Sequence, residues 1–279
     1  MVAKGAAVPV HRGAYRRPGD DDTPRDVALA RIVAAHHQLR GEHVFSHTSA
    51  ALLHGLTTWR TAAKAEIYQT TSRSGHGSSH LLRHVPMPPV ADRATVVGLP
   101  ATTLARTAWD CMCVLPAGDA LVVADAALHA GVTAAELGAF ARRGGRGHSR
   151  AMRILDVADD GPESAPESMC RYRLLVAGYP PLTTQIPVET RFGTYFGDLG
   201  WPEWRVLFEY DGRVKYEGNA TETFMAEKRR HDAVVEKGWR VLRVTKEDLA
   251  TRRAFETRVA KLVPGGAAAA LHPRRELRW

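Results

Sequence analysis

Residues 204–212 read WRVLFEYDG, an apolar run rich in β-branched and aromatic side chains, interrupted by two acids and stopped by Asp-Gly, a turn signal. Strand alternation puts Leu207, Glu209 and Asp211 on one face and Val206, Phe208 and Tyr210 on the other. Two carboxylates therefore share a face with an aliphatic residue. Just upstream, TTQIPVET (183–190) and GTYFGDLGW (193–201) are two further strand candidates separated by turn residues, so the three together read as a meander. A turn centred between Pro202 and Glu203 sets Asp198 opposite Leu207 and diagonal to Glu209, where Cβ atoms lie roughly 7 Å apart.

Working outward, Pro166 suits the first turn of a helix that continues through ESMCRYRLLVAG (167–178), packs Leu174 and Leu175, and ends at Gly178. After the meander, FMAEKRRHDAVVEKG (224–238) reads as a helix and WRVLRV (239–244) as a strand. Thr245 with Asp248 forms a capping-box pattern for a last helix reaching about Leu262. The order helix, three strands, helix, strand, helix predicts an α/β domain over 163–263, three layers around a mixed sheet, followed by a basic tail at 264–279.

The segment DVADDGPESAPES (156–168) is acidic, poor in large apolar residues and carries two prolines, which marks a domain boundary. Residues 1–158 read as a smaller α+β domain. VPVHRGAYRRPG (8–19) suggests one short strand and its exit turn, and 24–40 an amphipathic helix. HVFSHTSAALLHGL (43–56) suggests a short strand and a helix behind Ser46, while AEIYQTT and HLLRHVPM are strands bracketing the Gly/Ser loop SRSGHGSS (72–79). LPATTLARTAWDCMCVL (99–115) and AGDALVVADAALHAG (117–131) read as two helices, and Thr133 caps a third that runs into RRGGRGHSR (142–150), a basic solvated loop without P-loop spacing. His47 and His54 read as ordinary helix-surface or core histidines, with no ligand role.

The net charge of +8 and pI near 9.7 suit a polyanionic partner such as DNA. Only three cysteines occur, and the Cys111/Cys113 pair lacks zinc-ligand spacing, so buried free thiols are expected and a disulfide scaffold is excluded. No apolar run reaches membrane-spanning length and the N-terminus lacks a secretory core, so a cytoplasmic protein without a membrane partner is expected.

Carboxylates clustered on one sheet face repel one another unless a cation or a shared proton intervenes. Asp198, Glu209 and Asp211 are thus candidate ligands for an oxygen-loving ion, Mg2+ or else Mn2+, and Lys215 could balance charge on a phosphate. The alternative makes Asp198 and Asp211 turn residues, Glu209 an exposed edge carboxylate and Lys215 a solvated lysine.

At these residues the chain resembles the very-short-patch-repair-like endonucleases, a branch of the PD-(D/E)xK superfamily. The carriers are PES (166–168), GDLGWPE (197–203), FEYDGRVKY (208–216), EKRRHDAVVEKGW (227–239) and VLRVTKEDL (241–249), in the family's order over about 163–260. The resemblance implies a restriction-endonuclease-like fold, a first-helix acid at Glu167, a metal aspartate at Asp198 and a second acid at Glu209. The family's usual motif has lysine two residues after the second acid, where this chain has Asp211, and many relatives carry histidine at Lys215. Lys215 or Lys228 would have to supply the missing charge. The implied function is Mg2+-dependent hydrolysis of DNA phosphodiester bonds, catalysed around Glu167, Asp198, Glu209, Asp211 and Lys215, while the basic balance and the clusters EKRRHD (227–232) and TRRAFETR (251–258) make Lys228, Arg229 and Arg230 candidate DNA contacts. The alternative is a non-catalytic DNA-binding regulator or antitoxin that retains a degenerate nuclease fold.

The N-terminal part, through HRGAYRRPG (11–19), FSHTSAALLHGL (45–56), GLPATTLARTAWD (98–110) and ALVVADAAL (120–128), resembles the abortive-infection type IV antitoxin family. The winged helix-turn-helix with which such proteins usually begin is not found ahead of HRGAYRRPG.

Overall fold

The computed structural model describes residues 7–19, 22–70, 80–210 and 220–279, with side chains of the 220–236 helix described from Met225 onward. Asp211, Lys215 and the SRSGHGSS loop lie outside the described residues. The fold is mixed α/β and divides into two units, Met1–Ala158 and Asp159–Trp279. The first, expected to be the smaller, is the longer.

In the first unit, residues 8–16 form a hairpin rather than a single strand: β1 (Val8–His11) pairs antiparallel with β2 (Ala14–Arg16). Helix α1 (Pro24–Gln38) starts in a capping box between Thr23 and Asp26 with Pro24 in its first turn, each satisfying free N–H groups or omitting one. Then come β3 (Val44–Phe45), α2 (His47–Leu53), β4 (Ala65–Tyr68) and β5 (Leu81–His84). The stretch 99–115 is not helical throughout. Its first residues form β7 (Leu99–Thr102), antiparallel to β6 (Arg93–Val96), and helix α3 (Leu104–Val114) starts only behind Thr103. The cause is the turn: Val97 and Gly98 both hold positive φ, 44° and 80°, which the tight two-residue hairpin connection demands. The sheet runs β5-β4-β3-β7-β6, with β3/β7 and β4/β5 parallel and the other pairs antiparallel. Ile32, Phe45, Ile67 and Ala101 centre its core.

Helices α4 (Ala117–His129), α5 (Ala134–Ala141) and α6 (His148–Leu155) complete the unit. Thr133 and Glu136 close a capping box on α5. RRGGRGHSR is not simply a solvated loop. Arg143 donates to Asp92 Oδ2 at 2.6 Å, and Gly147, at φ 82°, lies so close to α3 that a Cβ there would sit 2.2 Å from the Cys113 carbonyl oxygen.

In the second unit α7 (Ala165–Ala177) ends at Gly178 and is followed by β8 (Thr183–Thr190), β9 (Gly193–Trp201) and β10 (Val206–Tyr210). Helix α8 (Ala220–Glu236) then leads to β11 (Arg240–Val244). The sheet order is β11-β10-β9-β8, with β10/β11 parallel and the rest antiparallel. Val234 of α8 packs with Leu207, Ile186 and Val188. On the other face of β10, Phe208 meets Trp201 edge-on at 5.2 Å, and Tyr179, just past α7, lies against the same indole at 5.3 Å. The sheet is therefore covered from both sides.

The last helix is split: α9 (Lys246–Ala250), opened by the Thr245–Asp248 capping box, breaks at Thr251 before α10 (Arg252–Ala260). Residues 264–279, expected as a tail, are folded. They carry α11 (Gly265–Ala269), bury Leu277, and take a hydrogen bond from the Tyr172 hydroxyl to the Leu277 carbonyl at 3.0 Å. An apolar side chain near the end and a hydroxyl on α7 outweigh the basic composition.

Candidate functional site

The β9–β10 register differs from the expected one. Val206 pairs with Trp201, Leu207 with Gly200 and Phe208 with Leu199, because residues 202–204 form a 3-10 turn closed by Arg205 in the left-handed region at φ 50°. That shift of two residues keeps side-chain parity but moves Asp198 from opposite Leu207 to opposite Glu209, one step beyond the last pair. Continued by one step, that register sets the two acids across from each other rather than diagonally. Asp198 is held in place by the sheet, since its Oδ2 accepts the Tyr210 backbone N–H at 3.1 Å.

All three described acids resist ionisation. Burial raises Asp198 above the usual carboxylate range, against the Tyr210 hydrogen bond and the nearby Arg230 charge. Burial likewise raises Glu209, with Arg230 opposing and Asp198 adding repulsion. Burial also raises Glu167, which lies within the field of Asp198. Glu167 has a second task, however. At the third position of α7 its Oε1 accepts from Ser164 Oγ at 2.6 Å and its Oε2 from the Glu163 N–H at 2.9 Å, so both oxygens are engaged in helix capping.

These carboxylates suit a hard cation as a pair. Mg2+ commonly binds through one or two carboxylates and keeps waters or phosphate oxygens in its remaining positions. Among the described residues the acids of this unit do not bring three ligand oxygens within 4.8 Å of one another.

Lys228 and Arg229 are exposed on α8, but Arg230 turns inward. Its Nη2 donates to the Phe196 carbonyl at 3.0 Å and stands 3.6 Å from Glu209 Oε1, with the guanidinium over the Tyr195 ring. Of the three α8 cations expected to meet DNA, one is directed at the acid pair.

No family model matches the chain. No solved structure matches it either. It is similar to the uncharacterized proteins MT2308 and Rv2248 of Mycobacterium tuberculosis, strains CDC 1551 / Oshkosh and ATCC 25618 / H37Rv. Each is 29% identical over 253 residues, covering 89% of this chain and 89% of the relative, so the likeness spans both units. No helix among the described residues is long and apolar enough to cross a membrane.

The first unit holds a polar cluster that the sequence reading missed. Arg106 donates to Asp110 at 2.8 Å, to Asp92 at 3.0 Å and to the Tyr68 hydroxyl at 2.9 Å. Beside it, the His47 and His84 rings stack with centroids 3.8 Å apart, and Glu66 Oε1 stands 3.5 Å from His84 Nε2. His47 is buried at φ 48°, a left-handed conformation costly for a side chain with a Cβ. Burial, helped by the neighbouring His84, pushes its imidazole down to about 3. Burial works to raise Glu66, but its contacts with His84, His47 and Thr48 outweigh this and hold it low. The members come from the start of α2, the second residue of β4 and the last residue of β5, 18 or 19 residues apart, so no local spacing announces them. His54 is a structural histidine, its Nε2 2.8 Å from the Thr102 carbonyl oxygen. Cys111 and Cys113 are free thiols, the first buried and the second half-buried.

Proposed function

We propose that the second unit is a nuclease-type domain of the PD-(D/E)xK kind that hydrolyses DNA phosphodiester bonds with Mg2+ or Mn2+. The observation that carries this reading is the placement of Asp198 and Glu209 one step beyond the last β9–β10 pair, Leu199 with Phe208, both raised from their ordinary values, with Glu167 in the field of Asp198. Groups whose ionisation is disfavoured by burial and by one another are characteristic of sites built for a cation or for proton transfer. Asp198 and Glu209 would hold the ion, with Asp211, next after Tyr210 in the sequence, as the further candidate ligand. A bound ion would lower the pKa of a water and stabilise charge on the leaving oxygen. Exposed Lys228 and Arg229 would track the phosphate backbone, and Lys215 would supply charge near the scissile group. Such work on DNA would place the protein in the cytoplasm. The first unit, with its likeness to type IV antitoxins, would serve regulation or partner binding.

The Arg230–Glu209 contact favours a second reading. A guanidinium that neutralises the acid pair lets the face persist without an ion, as in a DNA-binding regulator or antitoxin built on a degenerate nuclease scaffold. Incubation of the full chain with supercoiled plasmid and with single-stranded DNA separates the two. The nuclease reading expects Mn2+- or Mg2+-dependent nicking that disappears in Asp198→Ala. DNA binding without any cutting, unaffected by Asp198→Ala, would establish the regulator.

A further inference from the structure

We propose that the first unit carries a separate transition-metal site, built from His47, Glu66 and His84, that takes a divalent ion of the zinc class. One ligand atom from each residue lies within 4.8 Å of the other two, and they form the one such trio of His, Cys and acid groups among the described residues. Two imidazoles and one carboxylate match zinc sites that keep a fourth position open, whereas Mg2+ prefers oxygen ligands. Ligand atoms around a tetrahedral zinc are about 3.3 Å apart at the usual Zn–N distances. Reaching that geometry requires the His84 ring, now stacked on His47 with 21° between the planes, to leave the stack and turn its Nε2 toward the shared point, and its side chain, 22% exposed at the end of β5, is the one placed to move.

Two further observations point to an ion. His84 Nε2 is buried with no hydrogen-bond partner, since Glu66 Oε1 at 3.5 Å is beyond direct bonding distance. The surrounding groups also act as orienters. Ser46 Oγ engages His47 Nδ1 at 2.9 Å and leaves Nε2 available. Thr48 bonds Glu66 Oε2 through both its hydroxyl and its backbone N–H, the latter at 2.9 Å, which leaves Oε1 on the His84 side. Ser49 Oγ accepts the Glu66 backbone N–H at 2.8 Å. The run Ser46-His47-Thr48-Ser49 thus supplies one ligand and three supports, and it explains why the strained φ of His47 is kept. His47 and His84 also line a cavity of about 630 Å³ together with Tyr68, Arg106 and Cys113, which gives space for a ligand beside the two imidazoles.

The test is calorimetric titration of the full chain with Zn2+, with Co2+ absorption as a spectroscopic reading of the same site. The parent is expected to bind one zinc ion tightly, His84→Ala to lose it, Glu66→Gln to weaken it at least tenfold, and Asp198→Ala to keep it. The last variant makes this result independent of the nuclease reading. Should His84→Ala fail to fold, His84→Phe keeps the ring stack on His47 without a ligand nitrogen and takes its place. The proposal is overturned if the parent takes up no zinc at micromolar concentration. Parent-like affinity in both Glu66→Gln and the His84 variant would overturn it too, as would binding abolished by Cys113→Ala but untouched by Glu66→Gln.

Discussion

Glu209→Gln removes one unit of charge from the acid pair while keeping side-chain volume and hydrogen-bonding capacity. The attraction lost is that of Arg230 at 3.6 Å, about 1 kcal/mol at the dielectric of water and about 5 kcal/mol at an effective dielectric of 20. Because the two side chains are 39% and 20% exposed, the lower figure applies. Against this loss stands relief of the burial penalty on the carboxylate and of repulsion from Asp198, which together outweigh the Arg230 attraction, since the group is raised from its ordinary value. Without metal at neutral pH, the variant should therefore melt at the parent's temperature or a few degrees above it.

With metal the two should part. An ion present at about 100 times its dissociation constant stabilises the parent by about 2.7 kcal/mol, and a tenfold weaker site retains only about 1.4 kcal/mol. Scanning calorimetry with and without Mg2+ or Mn2+ reads both quantities. The reasoning is refuted if the variant keeps the parent's metal-induced shift. It is refuted equally if the metal-free variant loses more than about 3 kcal/mol, because Glu209 would then be a structural partner of Arg230 rather than a strained ligand.

Asp198→Asn should be more stable than the metal-free parent at neutral pH. A carboxyl raised in the folded state contributes stability fully below its unfolded pKa and loses it as pH rises through the folded one, so the advantage should vanish on acidification, as melts across pH would show. Leu277→Ala should cost about 2–5 kcal/mol in denaturant titration, since the residue is buried; an unchanged midpoint would mean the closing segment does not pack. Gly147→Ala should destabilise by more than about 1 kcal/mol, because φ is positive and the Cys113 carbonyl occupies the Cβ position. Lys228→Ala combined with Arg229→Ala should lower the slope of log affinity against log salt on DNA by about 2, and an unchanged slope would remove α8 from the interface.

Elements that depend on local pattern were legible from sequence. Thr133, the Thr245–Asp248 capping box, and Pro166 with Gly178 mark helix ends through contacts only a few residues long. The WRVLFEYDG strand and its acid-bearing face follow from period-two alternation. What resisted reading was set by backbone angles or by distant partners. The Val97–Gly98 turn pairs β7, read as the start of a helix, with β6, for which no element was read, and the Arg205 turn moves Asp198 by two register positions. The His47–Glu66–His84 cluster arises only when β4 and β5 pair in parallel and α2 packs behind them.

Arg230 bears on both readings of the second unit because one guanidinium cannot serve two anions at full strength. Its bond to the Phe196 carbonyl roots it in the sheet, while the 3.6 Å separation from Glu209 is an ion pair without a direct hydrogen bond. The contact is long and half-exposed, so it costs little to give up. On the nuclease reading, a divalent ion between Asp198 and Glu209 supplies more positive charge than Arg230 does and frees the guanidinium to meet a phosphate. Ion binding and DNA contact then become coupled through one side chain. On the regulator reading nothing displaces Arg230, and the acid pair stays neutralised whether or not DNA is present. The two readings thus part on which cation stands beside Glu209.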